Sequence, residues 1–119
     1  MDYNSDFRYD LKLGHIAEHK LASVLGMDSS RIEVKTDFKA SKTGNLFIEY
    51  ESRGKKSGIS TSEAEWYCFS INGQFILIES FKLKNLCRRY LGSNRDRLGG
   101  DNNTSKGILL PVKDIINEA

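Results

Sequence analysis

A lysine and three carboxylates recur at matching positions of two neighbouring segments, Arg31-Ile32-Glu33-Val34-Lys35-Thr36-Asp37-Phe38 and Leu46-Phe47-Ile48-Glu49-Tyr50-Glu51. In extended chain, alternate side chains share a face. Glu33, Lys35 and Asp37 therefore face away from Ile32, Val34, Thr36 and Phe38, and Glu49 and Glu51 face away from Ile48 and Tyr50. Pairing of the two segments as a hairpin would gather Lys35, Asp37, Glu49 and Glu51 on one patch. Three carboxylates held that close repel one another unless a cation lies among them. Hard oxygen donors of this kind suit Mg²⁺ or Mn²⁺. A plain cross-strand ion pair between Lys35 and Glu51 is the simpler use of the same residues. Three acids on one strand face are nevertheless uncommon, because Asp and Glu are depleted in strands.

The elements that would position these residues follow from periodicity and turn chemistry. Leu13, Ile16, Ala17, Leu21, Val24 and Leu25 recur at helical spacing, which predicts a helix over about 10–25 with Asp10 at its start and Gly26 as its C-cap. Glu18 borders that apolar stripe, where an acid needs a reason, and is a candidate further ligand for a metal or water. Strands are expected over about 31–38 and 45–53, joined by a loop from Ser41 to Asn45. After the glycine-rich link Arg53 to Gly58, the run Ser60 to Glu65 reads as a short capped helical turn. Strands at 66–71 and 74–79 are expected to form a hairpin about Asn72-Gly73, the second of them central because Phe75 to Ile78 are apolar on both faces. A helix over about 81–91, a long polar loop from Ser93 to Lys106, a short strand ending near Pro111 and a short helix over 113–118 complete the chain.

At 119 residues the chain is read as one domain, 1–119. Its hydrophobic fraction of 39% and charged fraction of 29% are ordinary for a globular protein. No apolar run reaches the roughly 20 residues that span a bilayer, and the polar start lacks the order of a signal peptide, so a cytoplasmic location is expected without membrane partners. Cys68 and Cys87 lack metal-ligand spacing and read as buried thiols. The net charge of +2 says little about a polyanionic partner. The distribution says more: Arg53, Lys55 and Lys56 lie beside the carboxylate patch, and Ser60 and Thr61 could meet a phosphate at a helix start. His15 and His19 lie one helical turn apart, but no third ligand is evident.

The order of parts resembles the PD-(D/E)XK nuclease superfamily, especially its small phage-type members. The resemblance rests on Gly14-His15-Ile16-Ala17-Glu18, on Glu33-Val34-Lys35-Thr36-Asp37, on Thr43-Gly44-Asn45-Leu46-Phe47-Ile48-Glu49-Tyr50-Glu51 and on Ser57-Gly58-Ile59-Ser60-Thr61. It implies a mixed central β-sheet flanked by helices, a restriction-endonuclease-like α/β core. It also implies a hydrolase: a Mg²⁺-dependent endonuclease cutting DNA, with junction or branched DNA an attractive subtype and a homodimer a common form. Carried over, Asp37 and Glu49 bind Mg²⁺ (or Mn²⁺) and Glu18 is the helical acid; Glu51 stands where the family usually has Lys, as in some restriction endonucleases, and would ligate the metal or accept the water's proton, or else Lys35 takes that lysine's place from the neighbouring strand. Arg53, Lys55, Lys56, Ser60 and Thr61 would contact DNA. A competing assignment takes Glu33-Val34-Lys35 as the E-x-K unit with Asp28 as the preceding acid. The alternative function is a non-catalytic DNA-binding or interaction module on the same scaffold. If phage-encoded, the protein would act in the host cytoplasm.

Overall fold

The computed structural model describes residues 31–37 and 39–118. The expected helix over 10–25, with Glu18, and the acid Asp28 lie outside the described residues. Strand β1 (Ile32–Thr36) is followed by a short helix α1 (Ala40–Thr43), then by β2 (Asn45–Ser52) and β3 (Lys55–Lys56). A 3₁₀ turn at Gly58–Ser60 leads to β4 (Trp66–Ile71) and β5 (Gln74–Glu79), and α2 (Ser80–Arg88) follows directly. The chain closes with β6 (Asp96–Gly99), a 3₁₀ turn at Asp101–Asn103, β7 (Ser105–Pro111) and α3 (Val112–Glu118).

The strands form two sheets rather than the one central sheet expected. The first is mixed, in the order β1-β4-β5, and the second is antiparallel, in the order β3-β2-β7-β6. β1 therefore pairs in parallel with β4, Ile32 opposite Trp66 and Thr36 opposite Ser70, and the hairpin between β1 and β2 is not formed. Parallel pairing requires a long crossover, which here contains α1, β2, β3 and the Gly58–Ser60 turn. β4 is central in the first sheet and β5 is at its edge, the reverse of the expectation from the apolar run at Phe75 to Ile78. Phe75 is accordingly 49% exposed.

One core joins the sheets. It takes Leu46 and Ile48 from β2, Tyr67 and Phe69 from β4, Ile108 and Leu110 from β7, and Leu83, Leu86 and Ile115 from α2 and α3. The opposite face of β4 carries Cys68, which packs with Ile32 in a separate small cluster. Alternation along β4 thus buries both of its faces, as a central strand requires. The β4–β5 hairpin turns on Asn72 and Gly73 at φ 51° and 79°, the left-handed pair of a type I′ turn.

The long loop expected from Ser93 to Lys106 contains β6, which pairs antiparallel with β7, Arg97 opposite Gly107. Two glycines make room for this: a Cβ at Gly99 or Gly107 would come within 2.7 Å or 2.5 Å of Cζ of Phe47. Among the described residues no helix is long and apolar enough to cross a membrane.

A carboxylate cleft at the junction of the two sheets

Lys35, Asp37 and Glu49 line one cleft of about 250 Å³, although their strands belong to different sheets. β1 supplies Lys35 from its last turn of pleat and Asp37 from just beyond its end. β2 supplies Glu49 from a stretch of strand that β3 does not cover, because β3 pairs only with Glu51 and Ser52. Tyr67 and Phe69 of β4 form the floor, their rings stacked with centroids 6.0 Å apart. Burial pushes the Tyr67 hydroxyl above its ordinary value. Gly58 and Ile59 close the side.

Each acid is held by a specific partner. Asp37 Oδ1 accepts the amide protons of Lys39 at 2.8 Å and Ala40 at 2.9 Å, which caps the first turn of α1. Glu49 Oε2 accepts the Ser57 hydroxyl at 2.8 Å. Among the described residues, these bonds occupy one oxygen of each carboxylate. Gly58 sits hard against the β2 backbone: a Cβ there would lie 2.2 Å from the Glu49 carbonyl oxygen, and its φ of +52° already disfavours other residues. The turn therefore fixes Ser57 and Glu49 relative to each other.

Glu51 does not join the cleft. A β-bulge falls between Glu49 and Glu51, so that Glu49 lies opposite Gly107 and Glu51 opposite Lys106. The bulge interrupts the simple alternation on which the shared face was predicted. Glu51 instead pairs with Lys106 at 3.4 Å. The extra residue, Tyr50, packs against the core, and its hydroxyl donates to Asp96 at 2.6 Å. That bond pushes the Tyr50 phenol up to about 12. Lys35 is not opposite Glu51 either; its carboxylate neighbour is Glu33 on the same strand face, at 3.9 Å.

Of the residues expected to contact DNA, Arg53 occupies the exposed β2–β3 turn at φ 52°, with Lys55 and Lys56 exposed on β3. Ser60 donates to the Tyr50 carbonyl and Thr61 to the Gly58 carbonyl. The helical turn expected at Ser60 to Glu65 is not formed; a 3₁₀ turn lies earlier, at Gly58–Ser60, and 61–65 run without helix. Two residues to which the sequence reading assigned no part in the site are Tyr67, which lines the cleft, and Ser57, which orients Glu49 from beside it. The Ser57-Gly58 pair carried the only signal, a glycine where backbone must approach backbone.

Among the described residues no three His, Cys, Asp or Glu side chains gather as a metal cage. Two carboxylates beside a lysine still fit Mg²⁺, which keeps several waters and takes one or two protein carboxylates together with substrate phosphate. Comparison with family models, with curated proteins and with solved structures finds no match to the chain.

Proposed function

We propose that the chain is a metal-dependent deoxyribonuclease that hydrolyses phosphodiester bonds at the cleft between the two sheets. The observation that carries this reading is the meeting of Lys35, Asp37 and Glu49 in one cleft from separate sheets. Asp37 and Glu49 would hold Mg²⁺ or Mn²⁺. When bound, such an ion lowers the pKa of water and neutralises charge on the phosphoryl oxygens. The chain's own groups do the rest. The capping amides and the Ser57 hydroxyl fix one oxygen of each carboxylate, so the acids are oriented before substrate arrives. The Lys35 ammonium donates hydrogen bonds to the attacking water or to a non-bridging oxygen. Arg53 and Lys55, on the exposed turn and β3, hold flanking phosphates.

Glu33 pairs with Lys35 at 3.9 Å and does not line the cleft, so Glu49 from β2 and Lys35 from β1 are the acid and lysine of the proposed site. Glu51 then serves as the partner of Lys106. Structure-specific cleavage of junction or branched DNA, and action as a homodimer, belong to the same proposal through the resemblance of the sequence.

The test is cleavage of plasmid, linear, single-stranded and four-way-junction DNA with Mg²⁺ or Mn²⁺, beside Glu49→Gln. Gln keeps an acceptor for Ser57 and removes the charge. Wild type should cut at least one substrate, and the variant should fall by about 100-fold or more with its melting temperature unchanged. Binding without cleavage under either ion would overturn hydrolysis and leave the non-catalytic DNA-binding module.

A further inference from the structure

A second cleft lies on the other side of the Gly58–Ser60 turn. It measures about 280 Å³ and runs between α2 and the turn, with Ile59 lining both it and the carboxylate cleft. Its chemistry is the opposite of its neighbour's. Lys56 from β3 and Lys84 and Arg88 from α2 line it, and no carboxylate does. Lys84 and Arg88 are four residues apart, hence on one helix face. Asn85 accepts from Arg88 at 2.9 Å and steadies the guanidinium. Among the described residues, none of the ion pairs includes Lys56, Lys84 or Arg88. The acids that border these cations have other partners: Glu51, across the β2–β3 ladder from Lys56, pairs with Lys106 at 3.4 Å, and Glu65 and Glu79, which line a neighbouring cleft with Lys84, pair with Arg31 and Lys82.

The floor between these cations is apolar: Ile59, Cys87, Leu91 and Ile108. Leu91 is 54% exposed there, an apolar side chain left open to water beside three positive charges. Three cations lining one groove, none of them in an ion pair among the described residues, attract a polyanion. An apolar floor beside these cations, with Tyr50 in the same lining, suits a base. The volume is on the scale of one nucleoside, and a base reaches the apolar floor only where it is unstacked and unpaired.

We infer that this groove holds a nucleotide of an unpaired DNA strand, its phosphate on Lys56, Lys84 and Arg88 and its base over Ile59 and Leu91. The inference rests on DNA as the substrate and adds its class: strands with an unpaired segment, such as flaps, bubbles or single strands. Ile59 is the shared wall, so a strand lying across the turn reaches the carboxylate cleft with its neighbouring phosphate. Readout of this kind combines phosphate neutralisation with apolar contact to a base face.

The test measures binding, not cleavage. Fluorescein-labelled oligothymidylate and a duplex of equal length are titrated in EDTA by anisotropy, over a range of salt. The proteins are wild type, the double variant K84A/R88A, the charge-keeping variant K84R/R88K, Leu91→Asp and, as an off-groove control, Lys113→Ala. Wild type should prefer the single strand. K84A/R88A should lose single-strand affinity on the order of tenfold, with a log–log salt slope shallower by up to about 0.7, the share of the one phosphate held there. Leu91→Asp should lose it too, K84R/R88K should keep it, and Lys113→Ala should bind as wild type. Single-strand affinity unchanged in K84A/R88A, or an equal loss for both DNAs, would overturn the groove. The two readings separate cleanly. A protein that never cuts but loses single strands in K84A/R88A keeps the groove and loses the nuclease. A protein that cuts normally in that variant, with binding intact, does the reverse.

Discussion

Asp37 caps α1 through Oδ1 and also lines the cleft, so its two tasks respond differently to substitution. Asp37→Asn keeps an acceptor for the amides and should melt within a degree or two of wild type. Asp37→Ala removes the cap and should cost about 1 kcal/mol. Both should abolish hydrolysis, because neither carries a charge to hold a divalent ion; urea melts beside cleavage assays separate the effects. The groups with raised pKa act at the other end of the pH scale. The Tyr50 phenol, bonded to Asp96, is raised from 10.0 to about 12, and burial raises the thiols of Cys68 and Cys87 from 9.0 to about 11 and about 12. Each keeps its proton longer in the folded chain than in the unfolded one. The folded state is therefore favoured fully below the unfolded values, and the advantage is lost as pH climbs through the folded ones. Thermal melts should show no change from these groups at neutral pH and a steady fall from about pH 9 upward. Tyr50→Phe should flatten the part of that fall above about pH 10.

The Gly58–Ser60 turn is the element on which the cleft depends. Gly58→Ala would set a Cβ 2.2 Å from the Glu49 carbonyl oxygen at a φ of +52°. The variant should lose more than about 2 kcal/mol, and whatever folds should cleave poorly, because Ser57 and Glu49 are displaced together. Gly73→Ala is the comparison: φ there is +79°, yet nothing lies within 4 Å, so its cost should stay near about 1 kcal/mol with activity intact. Elements differ in the same way in how far the sequence foretold them. The β4–β5 hairpin was legible because Asn72-Gly73 specifies its own turn and the strands are neighbours in the chain. Helix α2 was legible as well, the expected span of about 81–91 overlapping the observed Ser80–Arg88. The pairing of β1 was not, since nothing local distinguishes β2 from the more distant β4 as its partner. β6 was hidden for another reason: Asp96-Arg97-Leu98-Gly99 has neither alternation nor β-branched residues, and its place follows from backbone pairing with β7. The site was half legible. Lys35, Asp37 and Glu49 line one cleft, but from two sheets rather than across a hairpin, and the bulge at Tyr50 that parts Glu49 from Glu51 left no mark in the spacing of the acids.

At the scale of the whole molecule, two sheets share one core, so they should unfold together. Phe69→Ala in β4 and Ile108→Ala in β7 remove fully buried side chains from different sheets. Each should cost about 2–5 kcal/mol and lower a single transition, seen alike by Trp66 fluorescence in the first sheet and by far-ultraviolet circular dichroism. Two separate transitions would show instead that the sheets are independent bodies. The ends of the core are fastened as well: the Tyr90 hydroxyl after α2 donates to Asp114 of α3, and the Val112 amide is bonded to the Gly44 carbonyl at 2.9 Å. The two cysteines sit on opposite sides of β4, Cys68 in the small cluster and Cys87 in the main core beside the basic groove. Nature has thereby supplied a pair of internal clocks. Alkylation of each thiol waits for its own side of the sheet to breathe, and a guest seated on Leu91 would slow the clock at Cys87 while the one at Cys68 kept time.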